Sequence, residues 1–238
     1  MEYADIHIHL LPAVDDGAKD IEISKKMLEQ ARSQNITRII ATPHGYPGKH
    51  QYDLGKLMEK YEQTKELAHT MGIRLYAGTE NFYHEGLVDE LDNGRVLTMA
   101  DSSYVLVEFS PDDVYSYILG AVRNLVQAGY KPILAHIERY EAIEREKKKR
   151  SELLKLGAQF QINGKSLLGG MLDRRAKNCL QMIKDGEISY IASDAHDLKE
   201  RNIPFTEVVQ KLNGKIPDET IQKVLWDNPN KIIEAGRK

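Results

Sequence analysis

Two histidines near the start of the chain have the spacing of a metal-binding pair. They lie in the segment Asp5-Ile6-His7-Ile8-His9, and an altered copy, Ser193-Asp194-Ala195-His196, lies close to the other end. Successive side chains of an extended strand point to opposite faces, so the two histidines project together, as do the aspartate and histidine of the copy. Imidazoles and carboxylates grouped on one face are donors that can hold a metal ion. The sequence therefore begins with half of a candidate metal site.

Short apolar runs alternate along the chain with longer amphipathic segments, an order typical of β/α units around a parallel sheet. Seven runs are predicted as strands: Ala4 to His9, Arg38 to Thr42, Arg74 to Gly78, Tyr104 to Phe109, Pro132 to His136, Gln159 to Asn163 and Tyr190 to Ser193. Apolar residues three or four apart predict helices at Ile23/Met27/Leu28/Ala31, Leu54/Leu57/Met58/Tyr61, Val114/Ile118/Ala121/Val122/Leu125 and Leu172/Ala176/Leu180/Ile183. Seven strands in this order predict an α/β barrel, built as a single domain of residues 1–238.

Two more helical segments are predicted near the end of the chain, Phe205 to Leu212 and Glu219 to Trp226. The dipeptide Asn228-Pro229 follows them and is expected to break the helix, because the residue before a proline is biased away from helical geometry.

Potential metal ligands close six of the predicted strands. They are His9, His44, Glu80, Glu108, His136, and the pair Asp194 and His196. The carboxyl ends of barrel strands form the active-site face of such folds. Taken alone, Glu108 fits a buried ion pair and His136 fits a hydrogen-bonded core histidine. Because burying all of these groups at one rim without a cation would be very costly, the series favours a metal cluster.

The composition excludes several other classes of protein. The chain has 238 residues, 41% of them apolar, and a formal net charge of -3, so nothing in its balance calls for nucleic acid or an anionic membrane. It has neither a run of eighteen apolar residues nor a signal-like start, which predicts a cytoplasmic protein. Cys179 is the single cysteine, so an internal disulfide and a cysteine-rich zinc module are excluded. Its helical spacing from apolar neighbours predicts a buried, unreactive thiol.

Other site motifs fit the chain less well. It has no Gly-x-Gly-x-x-Gly for a dinucleotide and no Gly-x-Ser-x-Gly for a catalytic serine. Asn163-Gly164-Lys165-Ser166 resembles the end of a P-loop, but Gln159 stands where the first glycine would be needed. The basic run Lys147-Lys148-Lys149-Arg150 is predicted to be a solvated helix face rather than a nucleic-acid site.

The ordered series of these motifs resembles the PHP (polymerase and histidinol phosphatase) superfamily. It consists of His7-x-His9, Asp15-Asp16-Gly17, Thr42-Pro43-His44, Glu80, Glu108, His136 and Asp194-x-His196. Within that superfamily, the Asp5 and Asp15 motifs together with Ala135-His136-x-Glu138-Arg139-Tyr140 resemble the bacterial tyrosine phosphatases of capsular polysaccharide loci. The resemblance covers essentially the whole chain, and it implies a distorted (β/α)7 barrel.

The resemblance also implies three divalent cations, usually manganese, although iron and zinc suit the same nitrogen and oxygen donors. Carried onto this chain, the first metal has the ligands His7, His9, Glu80 and Asp194. The second has Glu80, Glu108 and His136, and the third has Asp16, His44 and His196. Asp15 is the alternative to Asp16.

The implied reaction is hydrolysis of a phosphate monoester by a hydroxide generated on a metal. Arg139 and Arg201 match the family's phosphate-binding arginines, and their guanidinium groups can bind phosphate in a bidentate way. The implied substrate is phosphotyrosine on a bacterial tyrosine kinase with a tyrosine-rich tail, which controls capsule or exopolysaccharide synthesis. A thiol-dependent phosphatase is excluded, because its Cys-x5-Arg loop would need an arginine where Asp185 stands.

Three alternatives remain open from the sequence. The same kind of metal centre hydrolyses histidinol phosphate within the superfamily, and a phosphodiesterase acting on DNA is a further enzymatic option. From a different class, the chain would be a non-catalytic, metal-stabilised binding module for a kinase or a polysaccharide-assembly protein.

Overall fold

Strands and helices alternate through the structure, a computed structural model that describes residues 1–45, 53–170 and 172–236. Its strands are β1 (Tyr3–Ile8), β2 (Ile36–Ala41), β3 (His44–Gly45), β4 (Arg74–Ala77), β5 (Glu80–Phe82), β6 (Tyr104–Glu108), β7 (Lys131–Leu134), β8 (Gln159–Asn163) and β9 (Tyr190–Ala192). Its α-helices are α1 (Ile21–Ser33), α2 (Leu54–Thr70), α3 (Leu87–Asp92), α4 (Tyr115–Gln127), α5 (Lys147–Leu156), α6 (Arg174–Lys184), α7 (Phe205–Leu212), α8 (Asp218–Gln222) and α9 (Asn228–Ala235). Single 3-10 helical turns follow β7 and β8.

Within the described residues, the strands form a curled parallel sheet with seven positions. Hydrogen bonding joins them in the orders β1-β2-β4 and β3-β5-β6-β7-β8-β9. Along the chain β2 leads into β3 and β4 leads into β5, so each of these pairs fills one position. A parallel bridge between Ile8 and Ala195 links the end of β1 to the segment that follows β9. The predicted distorted (β/α)7 barrel is confirmed, with two of its positions divided into two short strands.

The divisions lie at Pro43 and at Gly78-Thr79. Proline has no N–H to give to a strand ladder, although the Pro43 carbonyl accepts a bond from the Glu80 N–H at 3.1 Å. A side chain at position 78 would press on its neighbours, because a Cβ there would lie 3.1 Å from both Ile40 Cγ2 and Met99 Sδ. The predicted strand from Arg74 to Gly78 is confirmed to within one residue, and Glu80 begins a new strand.

Most of the predicted helical patterns lie in helices that bury the expected faces, but two first members do not. Val114 precedes α4 and is 64% exposed, and Leu172 precedes α6 and is 93% exposed. Asp173 forms the N-cap of α6, accepting a bond from the Ala176 N–H at 3.0 Å, so the helix begins after Leu172. Cys179 is fully buried in α6 as predicted, and burial raises the pKa of its thiol. Among the helices in the described residues, none has both the length and the apolar character needed to span a bilayer.

The expectation that Asn228-Pro229 breaks the last helix is wrong. The backbone stays helical through Asn228, and a π-helical turn over Lys223–Asp227 leads directly into α9. Pro229 lies in the first turn of α9, where a missing N–H costs little. The wider π-helical turn just before Pro229 connects α8 to α9 without ending the helix.

The basic run at the start of α5 is only partly a solvated face, which corrects the prediction for Arg150. That side chain is buried, and its Nε donates to Glu187 Oε2 at 2.6 Å. Its Nη1 donates to the carbonyls of Ile143 and Glu144 at 3.1 and 2.7 Å. Arg150 therefore fixes the loop that follows Arg139.

Removing the carboxylate of this buried pair is expected to destabilise the fold strongly. Glu187→Gln leaves the Arg150 guanidinium buried without a counter-charge, so we expect the free energy of unfolding to fall by about 3–5 kcal/mol in denaturant titrations. The matched control is Asp185→Asn, which breaks the exposed Lys147–Asp185 pair of 2.7 Å between α5 and the same segment after α6. Equal losses in the two variants would contradict the assignment of the stabilising role to Arg150.

Candidate metal centre

The predicted ligands all lie at the carboxyl ends of the strands. His7 is in β1 and His9 follows it, while His44 and Glu80 begin β3 and β5. Glu108 ends β6 and His136 follows β7. Asp16 lies in the loop after β1, Arg139 ends the 3-10 turn after β7, and Asp194, His196 and Arg201 lie in the loop after β9. Asp194 and His196 follow the strand, as the predicted range Tyr190 to Ser193 implied, but the backbone at Asp194 is not extended as expected; both side chains still face the cluster.

His7 and His9 present the same ring nitrogen to one point. Their Nε2 atoms are 3.3 Å apart and both side chains are fully buried. The other nitrogen of each ring is already bonded, His7 Nδ1 to Gln161 Oε1 at 3.1 Å and His9 Nδ1 to Asp15 Oδ2 at 2.7 Å. If Nδ1 carries the proton in both rings, each Nε2 has a lone pair for a cation.

Glu80 is the hub of the cluster. Its Oε1 lies 3.2 Å from His7 Nε2 and 3.0 Å from His136 Nε2. Its Oε2 lies 3.4 Å from His9 Nε2 and 3.1 Å from His44 Nδ1. Burial alone would raise the pKa of Glu80, but the imidazoles around it, His7 foremost, hold that pKa well below its usual range. The group that touches four histidines is therefore an anion.

Asp194 connects the histidines to both predicted arginines. Its Oδ1 lies 3.4 Å from His7 Nε2 and 3.5 Å from His9 Nε2. Arg139 Nη2 donates to Asp194 Oδ2 at 2.8 Å, and Arg201 Nη2 lies 3.5 Å from Asp194 Oδ1. The two arginine side chains are 36% and 41% exposed, so solutes can reach them. Two cationic groups thus stand at the open side of a buried ligand cluster.

A second group forms around Asp16. Its Oδ1 lies 3.3 Å from His44 Nε2 and 3.4 Å from His196 Nε2, and its Oδ2 accepts from Arg201 Nη1 at 3.1 Å. Asp15 instead bonds His9 and the backbone N–H groups of His44 and Gly17. Of the two neighbouring aspartates, Asp16 is the one placed among ligand atoms.

Gly17 allows this loop to lie against β1. A Cβ at that position would be 2.1 Å from the carbonyl oxygen of His9, so any side chain would force the loop away. The Ala18 N–H donates to the same oxygen at 3.1 Å. The Asp15-Asp16-Gly17 motif therefore brings its carboxylates close to the histidines.

Two of the candidate ligands have unusual backbone conformations. His136 has φ 32° and Asp194 has φ 50°, both in the left-handed region that L-residues rarely adopt. Each lies two residues beyond the end of a strand, β7 or β9, and each turns its side chain into the cluster. A left-handed residue other than glycine costs about 1–2 kcal/mol, and such strain collects at functional sites.

The donor set suits divalent cations. Within the described part of the chain, three groups each bring their ligand atoms within 4.8 Å of one another: His9/Asp16/His44/His196, His7/His9/Asp194 and His44/Glu80/Glu108. All three differ from the predicted sets: the first adds His9, the second lacks Glu80, and the third has His44 in place of His136, whose Nε2 lies 3.3 Å from Glu108 Oε1. His196 Nε2 is buried with no hydrogen bond among the described residues, although its Nδ1 bonds the Asp194 carbonyl at 2.9 Å. That leaves a nitrogen available for a metal.

The electrostatics also favour added positive charge. Burial opposes protonation of His44, yet Asp16 and Glu80 raise its pKa to about 9. Burial likewise opposes protonation of His136, and Glu108 and Glu80 raise its pKa to about 9. The cluster therefore draws in protons, which divalent cations would replace on binding.

Comparison with known proteins identifies the family. A family model for capsular polysaccharide synthesis, CpsB/CapC, matches residues 3–234. This chain belongs to the CpsB/CapC family. The family resemblance predicted from the sequence is thus confirmed.

Relatives of this CpsB/CapC family member carry phosphatase names. The putative tyrosine-protein phosphatase CapC of Staphylococcus aureus is 36% identical over 203 residues, covering 84% of this chain and 79% of that protein. The tyrosine-protein phosphatase CpsB of Streptococcus pneumoniae is 30% identical over 236 residues, covering 96% and 97%. One solved structure comes from work on YwqE from Bacillus subtilis and CpsB from Streptococcus pneumoniae, described as unique metal-dependent tyrosine phosphatases. It matches with a TM-score of 0.88 at 29% identity, covering 98% of this chain and 94% of the other.

Sequence reasoning missed two buried amides that support the cluster in this CpsB/CapC family member. Gln161 Oε1 accepts from His7 Nδ1 and from the His136 N–H at 2.9 Å, and its Nε2 donates to Asn163 Oδ1 at 2.8 Å. Asn163 Nδ2 in turn donates to Asp194 Oδ2 at 2.7 Å. Residues two apart on a strand share one face, so the spacing Gln161-x-Asn163 in the predicted strand was the signal that could have found them. Beyond its place at the end of a predicted strand, Asn163 was instead considered only within a near-match to a P-loop.

Gln161→Leu is expected to weaken metal binding. The leucine cannot hold His7 Nδ1, so the ring loses the partner that orients Nε2, and we expect 10–100-fold weaker affinity for Mn²⁺. The measurement is metal titration followed by calorimetry, with Gln127→Leu on the exposed end of α4 as the control. Unchanged affinity in a folded Gln161→Leu protein would show that the amide has no role in orienting the ligand.

Proposed function

We propose that this chain is a metal-dependent protein-tyrosine phosphatase, built as one domain over residues 1–238. The observation that carries the proposal is the shared contact of Arg139 and Arg201 with Asp194, which itself lies against His7 and His9. This arrangement combines a cluster of cation ligands with two guanidinium groups that solutes can reach. Such a combination fits a phosphate monoester, which carries two negative charges. The names of the relatives support the same activity.

Three divalent cations are proposed to bind the cluster, with manganese the first choice and iron or zinc compatible with the donors. His7, His9, Glu80 and Asp194 would hold one, Glu80, Glu108 and His136 a second, and Asp16, His44 and His196 a third. Bound cations would lower the pKa of water toward about 7 and neutralise charge on the phosphoryl oxygens.

The two arginines are proposed to bind the phosphate and to stabilise its charge in the transition state. Arg139 is held by Asp194, and Arg201 is held by Asp16 and Asp194, so both are positioned before a substrate arrives. Neither arginine uses all five of its donors in these contacts. The free donors can therefore turn toward the phosphoryl oxygens.

A tyrosine leaving group suits a site for which no general acid is assigned. A phenol has a pKa of about 10, far below that of an alkyl alcohol, so the departing oxygen needs less help from a proton. The thiol of Cys179 plays no part in the proposal, because it is buried and its pKa is raised by burial.

The proposed substrate is a phosphotyrosine protein of capsule or exopolysaccharide production, specifically a cytoplasmic tyrosine kinase tail rich in tyrosine. The test compares steady-state rates of the manganese-loaded protein on a phosphotyrosyl peptide and on histidinol phosphate. We expect the peptide to be preferred. A preference for histidinol phosphate would favour the other activity of the superfamily, and bound metal without hydrolysis of any phosphate ester would favour a binding module.

A further inference from the structure

A groove of about 1,100 Å³ opens beside the candidate metal centre. One wall is the loop after β7, with Arg139, Glu141 and Arg145, and the other is the first part of α6, with Arg174, Arg175 and Lys177. We call this feature the α6 groove. Apart from Pro111, its lining side chains are charged or polar, which favours a polar ligand.

Most carboxylates that line the α6 groove are already bonded within the protein. Glu138 is fully buried and accepts from Ser166 Oγ at 2.7 Å and from the Asn163 N–H at 3.1 Å. Glu144 pairs with Arg145 at 2.8 Å, and Asp173 caps α6 through the Ala176 N–H.

The basic side chains of α6 are not compensated in the same way. Arg174, Arg175 and Lys177 are exposed, and across the described residues no ion pair joins them to a carboxylate. Of the carboxylates that line the α6 groove, Glu141 is the one whose side chain has no hydrogen bond or ion pair among the described residues. The α6 groove therefore has an excess of cationic groups, which lie at the positive end of a helix dipole.

The walls of the α6 groove are held in place before any ligand binds. Asn178 Nδ2 on α6 donates to the Glu144 carbonyl at 2.7 Å, which ties the helix to the opposite loop. Arg150 donates to the same carbonyl at 2.7 Å and to the Ile143 carbonyl. Because these walls are already ordered, the groove itself loses little conformational entropy when a peptide binds.

Arg139 belongs both to the α6 groove and to the candidate phosphate site, because its guanidinium donates to Asp194. We propose that the α6 groove binds anionic residues that flank the phosphotyrosine of a peptide substrate. This proposal rests on the proposed function and adds a substrate class to it. The anionic group is a carboxylate or a second phosphotyrosine, since both present oxygens that arginine binds in a bidentate way.

The test measures kcat/KM on three phosphotyrosyl peptides of equal length. One has glutamates on both sides of the phosphotyrosine, the second has glutamines there, and the third has a second phosphotyrosine among glutamines. For the wild type we expect about a fivefold preference for each anionic peptide over the glutamine peptide at low salt, shrinking in 0.5 M NaCl. Comparison of the glutamate peptide with the doubly phosphorylated peptide shows which anionic group the α6 groove prefers.

The matched variants are Arg174→Gln/Arg175→Gln in the α6 groove and Lys148→Gln/Lys155→Gln on α5, which removes the same charge from another exposed surface. We expect the preference to fall to about one in the first variant and to remain in the second. Equal preference in all three proteins, or equal loss in both variants, would overturn the proposal. Thermal unfolding of each variant checks that it is folded.

A binding measurement separates this proposal from the proposed activity. Fluorescence anisotropy with non-hydrolysable phosphonate versions of the glutamate and glutamine peptides reports the same preference without turnover. Absence of hydrolysis on every peptide would overturn the proposed function alone, and the anisotropy ratio would still decide on the α6 groove. Hydrolysis of all peptides with no preference in rate or binding would overturn the α6 groove alone.

Discussion

Removal of divalent metal is expected to abolish hydrolysis of a phosphotyrosyl peptide. After chelation and buffer exchange, we expect activity to fall by about a thousandfold or more, because the proposed chemistry needs cations around Glu80 to lower the pKa of the attacking water, which the two arginines cannot do. Addition of Mn²⁺ should restore the rate. Metal content measured on the same samples links the loss to the ion.

The control for this experiment is Cys179→Ala. Because the thiol is buried in α6, the variant should lose activity on chelation and regain it with Mn²⁺ as the wild type does. Full turnover in protein shown to be free of metal would contradict the proposed chemistry. Loss of activity in the metal-loaded cysteine variant, with folding intact, would point to a thiol mechanism.

Glu80→Gln is expected to have the largest effect of any single substitution in the cluster. The carboxylate oxygens lie within 3.0–3.4 Å of four histidine nitrogens, so an amide removes one negative charge and one ligand oxygen from several contacts together. We expect kcat/KM to fall about a thousandfold, and we expect fewer Mn²⁺ ions to be retained per chain.

Glu85→Gln is the matched control, because Glu85 is exposed in the segment that follows β5. It should keep both its rate and its metal content. A Glu80→Gln protein that retains the full number of ions and a near-normal rate would show that the contacts of Glu80 with the four histidines are not needed for metal binding or catalysis. Circular dichroism separates loss of metal from loss of the fold.

The sequence predicted the positions of the reactive groups better than the boundaries of the strands. Alternating apolar runs predicted seven sheet positions, and the rule that active sites lie at the carboxyl ends of strands placed His9, Glu108 and His136 together. That rule works because parallel strands bring their ends to one rim whatever their sequence separation. Asp194 and His196 reach the cluster from the loop after β9, without the extended backbone from which the sequence pattern would project them together.

What the sequence did not predict depends on contacts between distant segments. The divisions at Pro43 and at Gly78-Thr79 are accompanied by contacts between distant segments, a bond from the Glu80 N–H to the Pro43 carbonyl and the close approach of Ile40 and Met99 to Gly78. The bond between Gln161 and His7 joins residues 154 positions apart, and burial of Arg150 requires Glu187 to lie beside it. Local patterns contain no signal for such partners, because the same residue types occur equally well in solvent.

His136 and Asp194 have left-handed backbone conformations that favour glycine, but the site needs an imidazole and a carboxylate at these positions. Glycine would suit both positions better for folding, yet it would supply neither the imidazole nor the carboxylate. A copy of this gene released from selection for activity would be free to relieve the backbone strain by acquiring glycine at either place, at the cost of buried contacts such as the bonds from Arg139 and Asn163 to Asp194. Retention of a histidine and an aspartate at these two left-handed positions in a newly sequenced relative would therefore mark a chain still selected for its chemistry.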